Sequence, residues 1–200
     1  MFEADFINRI KNSLPIVYPT STLPALGVIP TKEGLDRIFE LKKRDNLKIV
    51  SIAVAEFKQV IDLVQIPYYL EDLLDGFSPG SITVILEANE PMDSRLGENW
   101  IAIRKMAHPT ARALLNVVGP LTATSANLSG MEVQSHCDDA ASALGLPPQA
   151  TISELCPGGE PSTLIRCPVF LPLTDGQGPE IVREGVVRSE EVVHRWKALN

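Results

Sequence analysis

The segment that most constrains this chain covers residues 121–130, with the sequence LTATSANLSG. It begins as an apolar run typical of a buried strand and ends abruptly in small hydroxyl and amide side chains. A buried strand end has little use for so many hydrogen-bonding groups unless something polar docks there. We therefore predict a strand that delivers Ser125 and Asn127 into a binding site.

Helix and strand patterns alternate along the chain. Predicted helices cover residues 2–12, 31–41, 56–64, 69–74, 108–118, 137–144 and 189–199, and predicted strands cover residues 16–18, 49–54, 82–86, 100–104, 121–124, 164–165, 169–171 and 181–183. Several strands follow one another too closely for parallel crossovers, which need about a dozen residues. The prediction is an α/β protein, one domain over residues 1–200, with a mixed, twisted sheet flanked by helices.

Composition narrows the possible functions. The 200 residues carry a net charge of −7, which argues against a broad, sequence-independent nucleic-acid surface. The three cysteines lack the close pairing of a zinc or redox motif, so we expect no metal cluster. No apolar run approaches the ~20 residues that cross a bilayer, and no secretory signal is visible at the start. We expect a cytoplasmic protein that makes no membrane contact.

A basic cluster stands out against this acidic background. Lys42, Lys43, Arg44 and Lys48 place four positive charges within seven positions, in or just after the last turn of a helix that Thr31 is predicted to cap. The cluster can be a solvated helix end, where cations offset the helix dipole. It can equally be a phosphate site, because charge-assisted hydrogen bonds to phosphate are strong. The sequence leaves both interpretations open.

Further candidate residues follow other predicted strands. The turn that carries Thr20 and Thr22 lies between two prolines, so its hydroxyls either cap the turn or face a small polar substrate. Asn127 can satisfy its own backbone, although its segment has more donors than a turn needs. Ser162 and Arg183 stand at the start and end of late strands, where each taken alone is more often structural than functional.

Six short motifs follow one another along the chain. They are residues 18–26 (YPTSTLPAL), 42–44 (KKR), 79–83 (PGSIT), 104–109 (RKMAHP), 125–127 (SAN), and the late pair 162–163 (ST) with Arg183. In this order they resemble the motifs of the threonylcarbamoyl-AMP synthases, the YrdC-like family, in its short single-domain form. The resemblance extends over nearly the whole chain.

The resemblance implies a nucleotidyltransferase reaction in which L-threonine, bicarbonate and ATP give threonylcarbamoyl-AMP and pyrophosphate, for the modification of adenosine beside the tRNA anticodon. By carry-over, Lys42 and Arg44 act in catalysis, and ATP is held by Lys42, Arg44, Lys48, Ser125, Asn127 and Arg183. Threonine is held by Thr22, Arg104 and Ser162, with Arg104 on its carboxylate. Mg²⁺ is carried by the ATP phosphates, and a tRNA threonylcarbamoyl-transferase receives the product.

The chain departs from the family pattern at several positions. Ser21, Pro24, Ala53, Val133 and Arg166 stand where the family commonly has an acidic residue, a tyrosine, a histidine, a serine and an aspartate. The chain therefore retains more of the family's ATP-binding residues than of its threonine-binding residues. Two alternatives to an active synthase stay open: a nucleotide- or RNA-binding member without this chemistry, which a basic surface patch over residues 42–48 would favour, and a carbamoyl-transferring relative with another acceptor.

Overall fold

A computed structural model of the chain describes residues 2–43, 45, 48–169 and 178–199. Its helices are α1 (Ala4–Lys11), α2 (Lys32–Lys42), α3 (Leu70–Leu74), α4 (Pro109–Val118), α5 (Cys137–Ala143) and α6 (Ser189–Leu199), with short 3-10 helices at Phe57–Val60, Ser94–Leu96 and Pro148–Ala150. Its strands are β1 (Ile16–Tyr18), β2 (Ala25–Gly27), β3 (Ser51–Val54), β4 (Ile82–Glu87), β5 (Trp100–Lys105), β6 (Leu121–Ser125), β7 (Thr163–Arg166) and β8 (Glu180–Arg183).

The described strands form one sheet in the order β1-β2-β6-β3-β5-β4-β7-β8. β3 pairs with β5, and β4 with β7, in parallel orientation. The remaining neighbours are antiparallel. The prediction of an α/β fold with a mixed sheet is therefore confirmed.

Helix α2 begins and ends as local chemistry dictates. The side-chain oxygen of Thr31 accepts a hydrogen bond from the backbone N–H of Gly34 at 3.2 Å, which confirms the predicted cap. The helix ends where Lys43 adopts the left-handed conformation, with φ of 50°. Lys42 is consequently the last residue of the helix, and its side chain turns inward from there.

The two faces of the sheet are covered differently. One face packs branched side chains such as Ile52 and Ile103 against helices α2, α3 and α6. On the opposite face, α1 and α4 pack against residues that include Ala53 and Leu121. Since side chains alternate along a strand, Ser51 lies on the same face as Ala53, and there it lines a cavity. The sheet face that carries α1 and α4 thus also forms the floor of the cavity.

Strand β2 is an element that the sequence analysis missed. Leu26 pairs with Val17 of β1 on one side and with Thr124 of β6 on the other. The sequence analysis assigned no helix or strand to residues 25–27, a very short apolar run between a proline and a glycine. Its pairing with β6, about a hundred residues later in the chain, holds it in the sheet.

The end of the chain follows the prediction in part. Strands β7 and β8 and helix α6 lie where they were expected. A further strand was predicted over residues 169–171. Val169 is not in a strand, and residues 170 and 171 lie outside the described residues. No helix within the described residues is both long and apolar enough to span a bilayer.

Gly27 should tolerate no side chain. A Cβ there would lie 2.6 Å from the ring of Tyr18 and 2.8 Å from the backbone oxygen of Thr122, which also accepts the Tyr18 hydroxyl at 3.0 Å. We expect Gly27→Ala to lower the free energy of unfolding by about 1–3 kcal/mol, measured by urea denaturation. Gly76→Ala is the control, because the three atoms nearest to its Cβ would all belong to the flexible side chain of Arg195. Equal losses in the two variants would contradict the prediction.

Candidate active site

A cavity of about 540 Å³ lies over the sheet between the β1–β2 turn, the end of β6 and the strands β7 and β8. Five of the residues that the sequence analysis selected line it, although they come from five separate segments: Thr22, Arg104, Ser125, Ser162 and Arg183. Thr22, Arg104 and Ser162 were predicted to bind threonine. Ser125 and Arg183 were predicted to bind ATP. The fold therefore brings both predicted half-sites into one space.

Arg104 is the most unusual charged group of the cavity. Its Nη2 donates to Ser21 Oγ at 3.4 Å and to the Gly80 carbonyl oxygen at 3.3 Å, both long distances for hydrogen bonds. Its Nε is buried without a hydrogen-bond partner among the described residues. Burial, and the nearby positive charge of Arg183, lower the pKa of Arg104. The guanidinium thus lacks a counter-ion within the described chain, as a site for an anionic ligand group requires.

Ser162 and Arg183 form the wall opposite the β1–β2 turn. Arg183 Nη2 donates to the backbone oxygen of Ser162 at 2.8 Å. The hydroxyl of Ser162 is paired with that of Thr83 at 2.7 Å, and both side chains are buried. One guanidinium nitrogen of Arg183 is thus fixed by the backbone of Ser162, and the Arg183 side chain lines the cavity.

The β1–β2 turn supplies hydroxyls from the other side. Thr20 Oγ1 donates to the Leu23 carbonyl oxygen at 2.8 Å and lies 3.3 Å from Thr22 Oγ1. The backbone N–H of Thr20 donates to Cys156 Sγ at 3.4 Å. A hydrogen bond from the Cys137 thiol lowers the pKa of Cys156, against the opposing effect of burial. The turn is therefore capped and anchored, and it still presents Thr22 to the cavity.

Lys42 holds the end of β6 from behind. Only 1% of its surface is exposed, and it does not line the cavity. Its ammonium donates to the backbone oxygen of Ser125, to the backbone oxygen of Asn127 at 2.6 Å and to Asn127 Oδ1 at 3.2 Å. Ser125 Oγ in turn donates to Asn127 Oδ1 at 2.7 Å. In this structure Lys42 and Asn127 orient Ser125, whereas the resemblance had placed both directly on ATP.

The other basic residues of the 42–48 cluster contribute differently from the prediction. Lys48 is exposed and next to Ile49, which lines the cavity, but Lys48 itself does not line it. Arg44 lies outside the described residues. Because Lys42 is buried, it adds nothing to a basic surface patch, and the RNA-binding alternative loses part of its support.

The charge of the cavity is one-sided. Arg104, Arg166 and Arg183 line it, and no carboxylate does so within the described residues. This is notable in a chain of net charge −7, where acidic side chains outnumber basic ones by 25 to 18. Such a cavity attracts an anion, because low-dielectric walls strengthen the field of its cations.

Several cavity residues were not selected from the sequence. They are Ser51, Thr83, Ile85, Trp100, Ala102, Ala123 and Arg166. All occupy alternate positions on strands that carry a selected residue or adjoin one, as Trp100 and Ala102 do before Arg104. Because side chains alternate along a strand, Ala102 and Trp100 could have been predicted from Arg104 by counting back two and four residues. Ala53, which the sequence analysis named as a departure from the family pattern, does not line the cavity and is fully buried in the cluster under α1 and α4.

This fold and this arginine-lined cavity define a protein of the Sua5/YciO/YrdC family. The chain belongs to that family, whose pattern carries the description "Telomere recombination" and matches residues 8–185. The structure of E. coli YciO has the same fold, with a TM-score of 0.71 at 23% identity over 93% of this chain and 90% of that one.

Named relatives specify the family further. The chain is 30% identical to the threonylcarbamoyl-AMP synthase of Aliivibrio fischeri over 133 residues, which cover 63% of this chain and 72% of that protein. It is 27% identical to the Bacillus subtilis threonylcarbamoyl-AMP synthase over 194 residues, 92% of this chain and 53% of that protein. The crystal structure of P. abyssi Sua5 complexed with L-threonine matches with a TM-score of 0.78 at 27% identity, over 94% of this chain and 55% of that one. The chain thus spans about half of the latter two proteins.

Replacing Lys42 tests whether its role is structural. Lys42→Met leaves two backbone oxygens without their ammonium donor, so we expect the free energy of unfolding to fall by about 2 kcal/mol in urea denaturation. Lys43→Met, at the exposed neighbouring position, should change it by less than about 0.5 kcal/mol. If Lys42→Met were as stable as the wild type, the ammonium would not be what holds the end of β6.

Proposed function

We propose that this protein forms threonylcarbamoyl-AMP and pyrophosphate from L-threonine, bicarbonate and ATP. The observation that carries the proposal is the single cavity in which Thr22, Arg104, Ser125, Ser162 and Arg183 meet. Membership of the family and its relatives named threonylcarbamoyl-AMP synthase support it. The structure of P. abyssi Sua5 complexed with L-threonine supports threonine as the amino acid.

In the proposal, threonine binds at the Arg104 end of the cavity. Its carboxylate would supply the counter-ion that Arg104 lacks among the described residues, with a bidentate pair as the favoured geometry. The hydroxyls of Thr22 and Ser162 face the same space and would accept from the ammonium or hydroxyl of the amino acid. Each already has a hydroxyl neighbour that fixes its position.

ATP then occupies the remainder of the cavity. Arg183 and Ser125 would contact its phosphates and ribose, and Arg44 and Lys48, which follow α2 in the sequence, stay proposed ATP ligands. Asn127 and Lys42 would act on the nucleotide through Ser125, whose hydroxyl and carbonyl they hold. Loss of a group that positions a hydrogen-bond donor can lower the reaction rate, because a small displacement of the donor is enough to weaken catalysis.

The chemistry that this arrangement favours is positioning plus charge stabilisation. Bicarbonate loses hydroxide to give carbon dioxide, the neutral amine of threonine adds to the carbon of carbon dioxide, and the proton that the amine loses combines with the hydroxide to give water, which leaves a carbamate. A carbamate oxygen attacks the α-phosphorus of ATP, and pyrophosphate leaves with the electron pair of the broken P–O bond. Arg104 and Arg183, which form no ion pair with a carboxylate among the described residues, would stabilise the negative charge that accumulates on the phosphoryl oxygens.

The described residues offer no carboxylate cage for a metal. They contain no group of three or more His, Cys, Asp or Glu side chains that could hold an ion. The guanidinium groups of the cavity repel a divalent cation, and the carboxylates that such a cation prefers do not line the cavity within the described residues. The proposal therefore leaves Mg²⁺ on the ATP phosphates, and it passes the product to a cytoplasmic tRNA threonylcarbamoyl-transferase.

Pyrophosphate release tests the proposal directly. Purified protein with ATP and Mg²⁺ should release pyrophosphate only when both L-threonine and bicarbonate are present. Omission of either substrate, or replacement of threonine by other amino acids, provides the controls. Release that ignores threonine, or no release under any condition, would contradict the proposal and favour a nucleotide-binding protein without this chemistry.

A pair of arginine variants connects that activity to the cavity. Arg183→Gln removes a cation from the cavity wall, so we expect pyrophosphate release to fall roughly a hundredfold or more. Arg37→Gln is the matched control, because Arg37 forms an exposed ion pair with Glu33 on α2 and does not line the cavity. Equal rates for Arg183→Gln and the wild type would remove Arg183 from the site.

A further inference from the structure

The β1–β2 turn is held from behind by a segment that does not line the cavity. Residues 151–158 begin beside β1, where the backbone N–H of Ile152 donates to the Val17 carbonyl oxygen at 3.1 Å. At the end of the segment, the backbone N–H of Gly158 donates to the Thr22 carbonyl oxygen at 2.7 Å. The turn that presents Thr22 to the cavity is therefore attached to a distant part of the chain.

The side chain of Cys156 contacts the turn directly. Its Sγ accepts the backbone N–H of Thr20 at 3.4 Å, and both residues are buried, with 2% and 1% of their surfaces exposed. The sulfur is itself fixed, because the Cys137 thiol donates to it and the Cys156 backbone N–H donates to the Ser135 carbonyl oxygen at 2.8 Å. A buried backbone N–H without an acceptor is costly, so this anchored sulfur holds Thr20 in place.

Thr20 determines how the hydroxyl of Thr22 is oriented. Thr20 Oγ1 donates its one proton to the Leu23 carbonyl oxygen at 2.8 Å, and it accepts the backbone N–H of Thr22 at 3.1 Å. The two threonine hydroxyls lie 3.3 Å apart, so the proton between them is that of Thr22. Thr22 Oγ1 consequently donates to Thr20 and keeps its lone pairs for a hydrogen-bond donor in the cavity.

We propose that Cys156 is a positioning residue for the threonine end of the site and acts through Thr20 on the hydroxyl of Thr22. This assignment rests on the proposed function, in which Thr22 accepts from the ammonium or hydroxyl of L-threonine. Loss of the sulfur leaves the Thr20 N–H without its acceptor, and a turn that shifts to regain one displaces Thr22. Ser125 and Arg183, which are assigned to ATP, are held by other contacts.

Separate measurements of L-threonine and ATP binding to the full chain, by equilibrium dialysis, test the proposal. Cys156→Ala removes the acceptor, so we expect the dissociation constant of threonine to rise roughly tenfold and that of ATP to stay within about twofold. Cys156→Val, which fills the space of the thiol but cannot accept, should show the same change. Cys156→Ser keeps an acceptor and should recover most of the loss.

Cys167→Ala is the matched control. Cys167 is also a buried cysteine, but it lies in the core beside Tyr69 and does not line the cavity. Its replacement should leave both dissociation constants unchanged. The proposal is overturned if Cys156→Val binds threonine like the wild type, if it loses ATP to the same extent as threonine, or if Cys167→Ala reproduces its effect.

Hydrogen exchange of the wild type tests the same coupling without a variant. Because coupling between two sites is reciprocal, saturating threonine should slow the exchange of the Thr20 backbone amide roughly tenfold. ATP should slow it much less. Equal slowing by the two ligands, or none by threonine, would refute the coupling even if every Cys156 variant failed to fold.

Threonine-dependent pyrophosphate release keeps the two proposals distinguishable. Release by the wild type together with normal threonine affinity in Cys156→Val refutes only the positioning role. Threonine binding that depends on Cys156, without any pyrophosphate release, refutes only the synthase reaction. A wild type that binds no threonine refutes both.

Discussion

The arrangement of the cavity depends on Arg104, a half-buried cation without a counter-ion among the described residues. Arg104 has only Ser21 and the Gly80 carbonyl as hydrogen-bond partners among the described residues, both at long distance. Both partners are uncharged, so the guanidinium has neutral hydrogen-bond contacts alone within the described chain. Burying a charge in this way is unfavourable unless a ligand later neutralises it. The cavity is therefore arranged for an anion at some cost in the stability of the ligand-free protein.

The alternation of side chains along the strands produces both the core and the site. Ala53 and Leu121 lie under α1 and α4, while Ser51 and Ala102 line the cavity on the same face of the sheet. Small side chains on the floor leave room for a ligand, and the branched residues on the opposite face anchor the strands. Arg104 thus stands on a strand that is packed within the sheet, which favours accurate placement of a ligand, whereas Arg183 stands on the exposed edge strand β8.

Local chemistry made much of the fold predictable, and long-range contacts account for what was missed. The Thr31 cap and strand β1 follow from residues close in sequence. Strand β2 depends on pairing with β6, and Lys42 turns inward because the oxygens of Ser125 and Asn127 are brought to it by the fold. A basic cluster in a sequence does not reveal which of its members will find buried acceptors. Trp100 differs from these, because the alternation of side chains along β5 already places it on the face of Arg104, and only its contact with Arg166 of β7 requires the assembled sheet.

The most direct test of this account is the free energy of unfolding of the wild type and Arg104→Gln, with and without L-threonine. The account predicts that the variant is at least as stable as the wild type without threonine, since it removes an uncompensated cation. Threonine at about a hundred times its dissociation constant should stabilise the wild type by about 2.7 kcal/mol and the variant by much less. A variant that is strongly destabilised without ligand, yet still stabilised by threonine as the wild type is, would contradict the account.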